Sequence, residues 1–120
     1  MQIHSMTVVV SSQEAALDFY TSKLGWQVSR DVDVSDTMRF LTVVPPSGGA
    51  ELALGQSSWF EGQLPPKHTG IAIASQDIDA TYAELVERGV RFKGPVETMP
   101  WGGKATWFFD LDENEFFLVG

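Results

Sequence analysis

The chain has 120 residues, of which 43% are apolar, and it carries a formal net charge of −8 at pH 7 and no cysteine. This length fits a single domain with a core of its own. The lack of cysteine excludes disulfides, thiolate zinc sites and cysteine nucleophiles. The negative charge disfavours partners that are themselves anionic, so we expect neither a nucleic-acid nor a membrane partner. The sequence shows neither an apolar run of roughly 20 residues nor a basic signal-peptide start, and we therefore expect a cytoplasmic protein.

The first half of the chain predicts one strand, one helix and three further strands. Residues 3–10 are rich in β-branched side chains, which favour a strand. Ser11 followed by Glu14 is the pattern of a capping box, and the helix that it opens is predicted to end at Gly25. The segments WQVSRDV, MRFLTVV and AELALG predict the three strands, with the PPSGG turn between the last two.

The second half repeats this order. TGIAIAS predicts a strand, Asp77 is a suitable N-cap, and the helix that follows is predicted to end at Gly89. VRFKG, KATWFF and EFFLV predict three more strands. When the two helix ends are aligned, the halves match as one βαβββ unit written twice. We therefore predict one domain over 1–120, with module one at 1–55, a linker at 56–67 and module two at 68–120.

Four segments follow one another along the chain: VVVSSQEAALDFYTSKLGW, TGIAIASQDIDATYAELVERGVRF, PWGG and DLDEN. In this order they resemble the vicinal oxygen chelate superfamily. This superfamily includes glyoxalase I, bleomycin-resistance proteins and extradiol dioxygenases. The resemblance covers the whole chain and implies an α+β fold in which two βαβββ modules with curved mixed sheets form a cleft. It also implies a homodimer, with the modules either exchanged between chains or packed side by side.

The resemblance also indicates where metal ligands would stand. Metal-dependent members carry one ligand at each of four positions, which fall here on Ser5, Glu51, Gly70 and Phe117. Only the carboxylate among these groups binds a divalent ion well. The resemblance therefore implies that the usual metal site is lost and that no cofactor is needed.

Three other side chains lie close to the vacant ligand positions. His4 precedes Ser5 by one residue, so strand alternation would point it to the opposite face. His68 and Glu115 each lie two residues from a vacant position and would keep the same face. A displaced divalent-metal site formed by Glu51, His68 and Glu115 is therefore the alternative interpretation.

The acidic stretch near the end of the chain raises a related question. Asp110, Asp112, Glu113 and Glu115 lie between two aromatic runs. Asp and Asn favour turns because their side chains bond to their own backbone, so DLDEN predicts a turn between two strands rather than a metal site. Glu113 would weaken that turn if its position requires a positive φ.

A cleft without a metal predicts an aromatic binding site for a small organic ligand. The predicted ligand-binding residues are Ser5, Thr7, Arg39, Glu51, Gly70, Trp101, Trp107 and Phe117. Trp101 would lie in a loop at the cleft mouth, Trp107 would stack on the ligand, and Arg39 would hold an anionic group through its guanidinium. Core or dimer packing is the other interpretation for each tryptophan, as a surface ion pair is for Arg39.

Three functions follow from these alternatives. The first is a small-molecule-binding protein of the bleomycin-resistance type. The second is an enzyme, either a metal-dependent lyase, isomerase or dioxygenase that uses the displaced ligands, or a metal-free catalyst. In the metal-free case Glu51 would be the general base, with a pKa raised by desolvation in an apolar cleft. The third is a structural or regulatory dimer without a ligand.

Overall fold

The computed structural model describes residues 1–120, and they form two compact units, Met1–Pro65 and Pro66–Gly120. The division between them falls inside the predicted linker 56–67. The predicted α+β fold with two βαβββ modules and mixed sheets is confirmed, and both sheets are open. Neither α-helix has the length and apolar character that crossing a membrane would require.

The first unit contains four strands and one α-helix. Its elements are β1 (Ser5–Val9), α1 (Gln13–Asp18) continued by a π-helical turn (Phe19–Lys23), β2 (Gln27–Asp33), β3 (Arg39–Val44), β4 (Glu51–Gly55) and a 3-10 turn (Ser57–Phe60). The strands are ordered β1-β4-β3-β2. β1 and β4 run parallel, whereas the other pairs are antiparallel.

The second unit repeats that topology. Its elements are β5 (His68–Ala74), α2 (Ile78–Glu87), β6 (Arg91–Phe92), β7 (Glu97–Thr98), β8 (Lys104–Phe109) and β9 (Glu115–Val119). The order β5-β9-β8-β6 is that of the first sheet, again with the first and last strands of the unit parallel. The additional strand β7 pairs with β8 and was not predicted, because two residues are too few to give a period.

The helix ends show one correction to the predicted capping. The N-cap of α1 is Ser12, not Ser11, because the Ser12 hydroxyl accepts a hydrogen bond from the Ala15 amide at 3.1 Å. Glu14 therefore does not close a capping box and instead pairs with Arg39. Asp77 caps α2 as predicted, accepting from the amide of Ala80 at 3.1 Å.

The two predicted glycine helix ends are confirmed. Gly25 has φ 74° and Gly89 has φ 86°, values in the left-handed region that residues with a Cβ rarely adopt. Each glycine thus reverses the chain from a helix into the next strand of its unit.

Each unit has its own apolar core on one face of its sheet. In the first unit the fully buried side chains include Leu41, Val43 and Leu54, together with Tyr20 at the end of the helix. In the second unit a series of aromatic rings connects α2 to the sheet through the pairs Tyr82–Phe92, Phe92–Phe108 and Phe108–Phe116, with centroids 4.7, 5.9 and 5.3 Å apart. The opposite face of each sheet carries most of the predicted site residues.

Candidate ligand-binding surface

The strand register of the first unit brings Ser5, Thr7 and Glu51 to one face of the sheet. Ser5 lies opposite Glu51, and Thr7 opposite Ala53, in the parallel β1–β4 pair. Side chains of residues directly opposite one another share a face. A Cβ at Gly55 would lie 2.8 Å from the Thr7 methyl group and 2.9 Å from the Trp59 ring, so the glycine allows the indole to approach this strand.

Glu51 is held by four neighbours. The Thr42 hydroxyl donates a hydrogen bond to Glu51 Oε1 at 2.7 Å. Arg30 Nε lies 3.5 Å from the same oxygen, and His4 Nε2 lies 3.8 Å from Oε2. The hydrogen bonds from Thr42 and Ser29, followed by the charge of Arg30, hold the pKa of Glu51 below its usual value.

This environment overturns two expectations. The pKa of Glu51 is lowered rather than raised, because donors and a cation surround the carboxylate where an apolar cleft was expected. A carboxylate with a lowered pKa is a weaker proton acceptor. His4 does not point away from Glu51, because it precedes the first residue of β1 and strand alternation does not apply to it.

The structure places Arg39 on the other face of the sheet from the remaining predicted site residues of the first unit. Arg39 lies two residues before the buried Leu41, and so on the helix-facing side of the sheet. Its Nε and Nη2 donate to the two carboxylate oxygens of Asp31, each at 2.8 Å, and Nη1 pairs with Glu14. Both carboxylates raise the pKa of Arg39. To hold a ligand anion, Arg39 would have to release at least one of them.

The second unit places three aromatic side chains together, which we call the aromatic surface: Trp101, Trp107 and Phe117. Trp107 of β8 lies opposite Phe117 of β9, and their ring centroids are 4.7 Å apart. Trp101 meets Phe117 edge-on at 6.4 Å. The Trp101 side chain remains 67% exposed, an unusual position for a large apolar group.

The Trp101 loop is a turn closed by backbone hydrogen bonds. The Met99 amide donates to the Gly103 carbonyl at 2.7 Å, and the Gly102 amide donates to the Met99 carbonyl at 2.9 Å. Gly102 has φ 95°, and a Cβ at Gly103 would lie 3.0 Å from Trp101 Nε1. The two glycines therefore set the position of the indole beside the sheet.

Gly70 lies on an irregular part of β5 next to this surface. His68 pairs with Glu115 and Ala72 with Phe117, so four steps along β5 correspond to two along β9. Gly70, between them, has φ 71°, and a Cβ added there would meet nothing within 4 Å. The missing side chain thus leaves open space beside β9.

A polar edge, which we define as Glu115, His68 and Lys93, borders the aromatic surface. Glu115 precedes Phe117 by two residues on the same strand face. Its carboxylate pairs with His68 Nδ1 and lies 3.3 Å from Lys93 Nζ. Lys93 Nζ also lies 5.8 Å from the centroid of the Trp107 ring, within range of a cation–π contact.

The two units carry the same polar arrangement, which sequence reasoning missed. Each has a carboxylate at the first position of its last strand, paired with an imidazole and a cation: Glu51 with His4 and Arg30, and Glu115 with His68 and Lys93. The sequence did contain a signal for the cations. Arg30 lies five residues after the helix-ending Gly25, and Lys93 lies four residues after the helix-ending Gly89. The irregular pairing between Val28 and Arg30 accounts for this difference of one residue.

The predicted turn at DLDEN is confirmed. The Asp110 carboxylate accepts hydrogen bonds from the amides of Asp112 and Asn114 at 2.8 and 2.9 Å and from the Asn114 side chain at 2.8 Å. Glu113 has φ 67°, so the position does require the positive φ under which Glu113 was expected to weaken the turn. It pairs with Arg91, which lowers the pKa of the Glu113 carboxyl group.

The residues at the four positions where the resemblance predicts metal ligands are a poor set of ligands for a divalent ion. Ser5, Gly70 and Phe117 offer no strong ligand, and Glu51 already has donor partners. No group of three or more His, Asp or Glu side chains is arranged to hold a metal. Within the alternative set, His68 and Glu115 do meet, in the second unit. The three-residue site that also includes Glu51 stays a prediction.

The fold and the repeated arrangement of strands define the class of protein. Residues 2–118 match the model of the Glyoxalase/Bleomycin resistance protein/Dioxygenase superfamily, and the chain belongs to that superfamily. The resemblance found in the sequence is thereby confirmed.

Individual relatives cover the chain almost completely. An uncharacterized protein of Bacillus subtilis, YetH, is 30% identical over 117 residues, which span 98% of this chain and 96% of that protein. A superfamily member from Sphaerobacter thermophilus is 51% identical in structure-based alignment, with a TM-score of 0.93 over 99% of this chain and 96% of its own. TnmS3, an antibiotic binding protein from a Streptomyces species, is 34% identical with a TM-score of 0.85, over 99% and 94% of the two chains.

Proposed function

We propose that this protein binds a planar organic molecule without a metal, and that the ligand stacks on the aromatic surface formed by Trp101, Trp107 and Phe117. The observation that carries the proposal is the exposure of Trp101, 67% accessible beside two further rings. Small-molecule sites are typically lined by aromatic side chains with a few polar groups, and exposed apolar patches often mark such sites or other interaction surfaces.

Two further observations support binding over catalysis. TnmS3 is itself described as an antibiotic binding protein and aligns over nearly the whole chain. The carboxylate that was the candidate base, Glu51, has a lowered pKa and several donor partners. A group already stabilised in its charged form is poorly suited to abstracting a proton at neutral pH.

The assembly and location belong to the same proposal. We keep the expectation of a cytoplasmic homodimer, in which each chain would contribute one aromatic surface. Ser5, Thr7 and Glu51 of the first unit remain proposed ligand contacts, as does Gly70 of the second, where open space lies beside the strand.

Tryptophan fluorescence tests the proposal. A set of planar aromatic compounds is titrated into the protein, and both the emission and the melting temperature are followed. We expect at least one compound to quench emission and to raise the melting temperature, since a ligand that binds only the folded state stabilises it. If no compound changes either quantity, the alternative of a structural or regulatory dimer gains the support that the binder loses.

Two variants assign the binding to the aromatic surface. Trp101→Ala removes an exposed ring and is expected to weaken binding by about fivefold or more, the typical contribution of one stacking contact. Trp59→Phe is the matched control, because Trp59 lies in the first unit and stacks on Phe40 with a centroid distance of 6.0 Å. Equal losses in both variants would contradict the assignment.

Soaking with nickel, zinc or manganese tests the metal-dependent alternative, which requires stoichiometric binding that Glu51→Ala abolishes.

A further inference from the structure

The polar edge of the second unit exposes its ammonium group and its imidazole and covers its carboxylate. The Glu115 side chain is 8% exposed, whereas Lys93 is 59% exposed and His68 is 72% exposed. A molecule that approaches this edge therefore meets an ammonium group and an imidazole before it meets the carboxylate. The carboxylate fixes both groups in place, and the donors that it leaves unused remain available.

The unused donors can be counted. The Lys93 ammonium has three N–H groups, and one of them donates to Glu115 Oε1 at 3.3 Å. The His68 ring meets the same carboxylate through Nδ1, so a neutral imidazole presents Nε2 as an acceptor rather than a donor. Lys93 is therefore the group that retains donors for a second partner with acceptor oxygens.

These donors lie beside the aromatic surface at a distance that suits one small molecule. Lys93 Nζ is 5.8 Å from the Trp107 ring centroid, and Trp107 is 4.7 Å from Phe117. A fused two-ring aromatic acid stacked on Trp107 would bring a ring-borne carboxylate within reach of Lys93. Charge-assisted hydrogen bonds between an ammonium group and a carboxylate are about twice as strong as neutral ones.

The first unit provides a comparison, because it has the donors without the adjacent rings. Its exposed cation and imidazole, Arg30 and His4, surround Glu51. Its aromatic pair, Phe40 and Trp59, is associated instead with Gly55, four residues along β4 and thus roughly 13 Å away. Only the second unit combines both features in one place.

We propose that the ligand of the aromatic surface is a planar aromatic acid, whose rings stack on Trp107 and Phe117 and whose anionic oxygens bind Lys93. This inference rests on the proposed function and adds the chemical class of the ligand. The net charge of −8 does not prevent such binding, because charges beyond about 10 Å are screened at physiological salt.

Three isosteric probes test the inference by calorimetry: 2-naphthoate, 2-naphthamide and 2-naphthylmethylamine. The expected order of affinity is acid, then amide, then amine, with the acid at least about tenfold tighter than the amide. The affinity for 2-naphthoate should also fall as sodium chloride is raised, whereas that for 2-naphthamide should not change. This salt dependence is measured on the unmodified protein and requires no variant to fold.

Matched lysine variants locate the effect. Lys93→Gln should reduce the preference for 2-naphthoate over 2-naphthamide to about twofold or less. Lys104→Gln is the control, because Lys104 is also an exposed lysine of the second sheet but pairs with Asp79. It should keep the full preference.

The outcomes separate the two proposals. Binding of the amide that equals or exceeds binding of the acid would overturn the aromatic-acid inference and leave the aromatic surface intact as a binding site. The same inference fails if Lys104→Gln removes the preference as fully as Lys93→Gln. Failure of all three probes, together with every other planar compound, would overturn the proposed function itself.

Discussion

Glu113 shows the cost of one residue in an unfavourable backbone conformation. Its φ of 67° lies in the left-handed region, where a Cβ is crowded and glycine is not. We expect Glu113→Gly to raise the melting temperature by a few degrees, since relief of this strain outweighs the loss of an exposed ion pair with Arg91. Differential scanning calorimetry checks this. Glu113→Ala is the control: it loses the ion pair, keeps the strain and should not be stabilised.

The lowered pKa of Glu51 leads to a prediction about the pH dependence of stability, again at the scale of one residue. Its pKa in the folded protein is lowered, chiefly by the Thr42 hydroxyl, so its contribution to stability is present above the unfolded pKa and disappears as the pH falls through the folded value. Carbon-13 NMR titration of the Glu51 carboxyl should give a pKa below the usual 4.5. Thr42→Val should raise that pKa, whereas Thr42→Ser should not. A wild-type pKa at or above the usual value would contradict this account of the site.

At the scale of the element, the β8–β9 hairpin depends on the buried carboxylate of Asp110. Asp110 accepts three hydrogen bonds, and it and Asn114 are 4% and 1% exposed. Asp110→Ala leaves buried donors without their acceptor and should lower the free energy of unfolding by about 2–3 kcal/mol. Chemical denaturation measures this, with Asp112→Ala as the less costly control. Equal losses would mean that the Asp110 bonds do not hold the turn.

The elements themselves were largely predictable from local signals. Alternation and β-branched runs located the eight main strands, and Gly25, Gly89 and Asp77 marked helix ends correctly because their backbone or capping requirements are local. The misplaced N-cap at Ser11 arose because two serines are adjacent, and the choice between them depends on where Glu14 finds its partner. That partner is Arg39, 25 residues away, which no local pattern reveals.

The site was less predictable for the same reason. The aromatic residues were named as ligand contacts because large rings in strands and glycine-rich loops are conspicuous, and their role in binding stays a prediction. Lys93 was missed, and the pKa of Glu51 was assigned the wrong direction, because both depend on groups brought together by strand pairing. Arg39 and Phe40 are adjacent in sequence but face opposite sides of β3, and the parity of that alternation was not assigned beforehand.

At the scale of the whole molecule, duplication explains why one chain carries two similar polar clusters. The strand order and the carboxylate–imidazole–cation grouping recur in both units, while the aromatic rings adjacent to the grouping occur in the second. Divergence after duplication would therefore have placed the binding chemistry mainly in one half of the chain. The loss of the family's usual metal site stays a prediction.

The expected homodimer is also a statement about the whole molecule. Sedimentation or light scattering should give a mass twice the 13.2 kDa of one chain. A domain of this size buries only roughly two thirds of its unfolded surface, and dimerisation would bury more. A concentration-independent mass of 13.2 kDa would contradict the expectation and would restrict each ligand site to one chain.

The most direct measurement of the central claim is fluorine NMR of protein labelled with 5-fluorotryptophan. The chain has four tryptophans, and two of them, Trp26 and Trp59, lie in the first unit, while Trp101 and Trp107 lie in the second. Addition of 2-naphthoate should shift the resonances of Trp101 and Trp107 in a saturable manner and leave Trp26 and Trp59 nearly unchanged. Saturable shifts confined to Trp26 and Trp59 would contradict a ligand surface in the second unit.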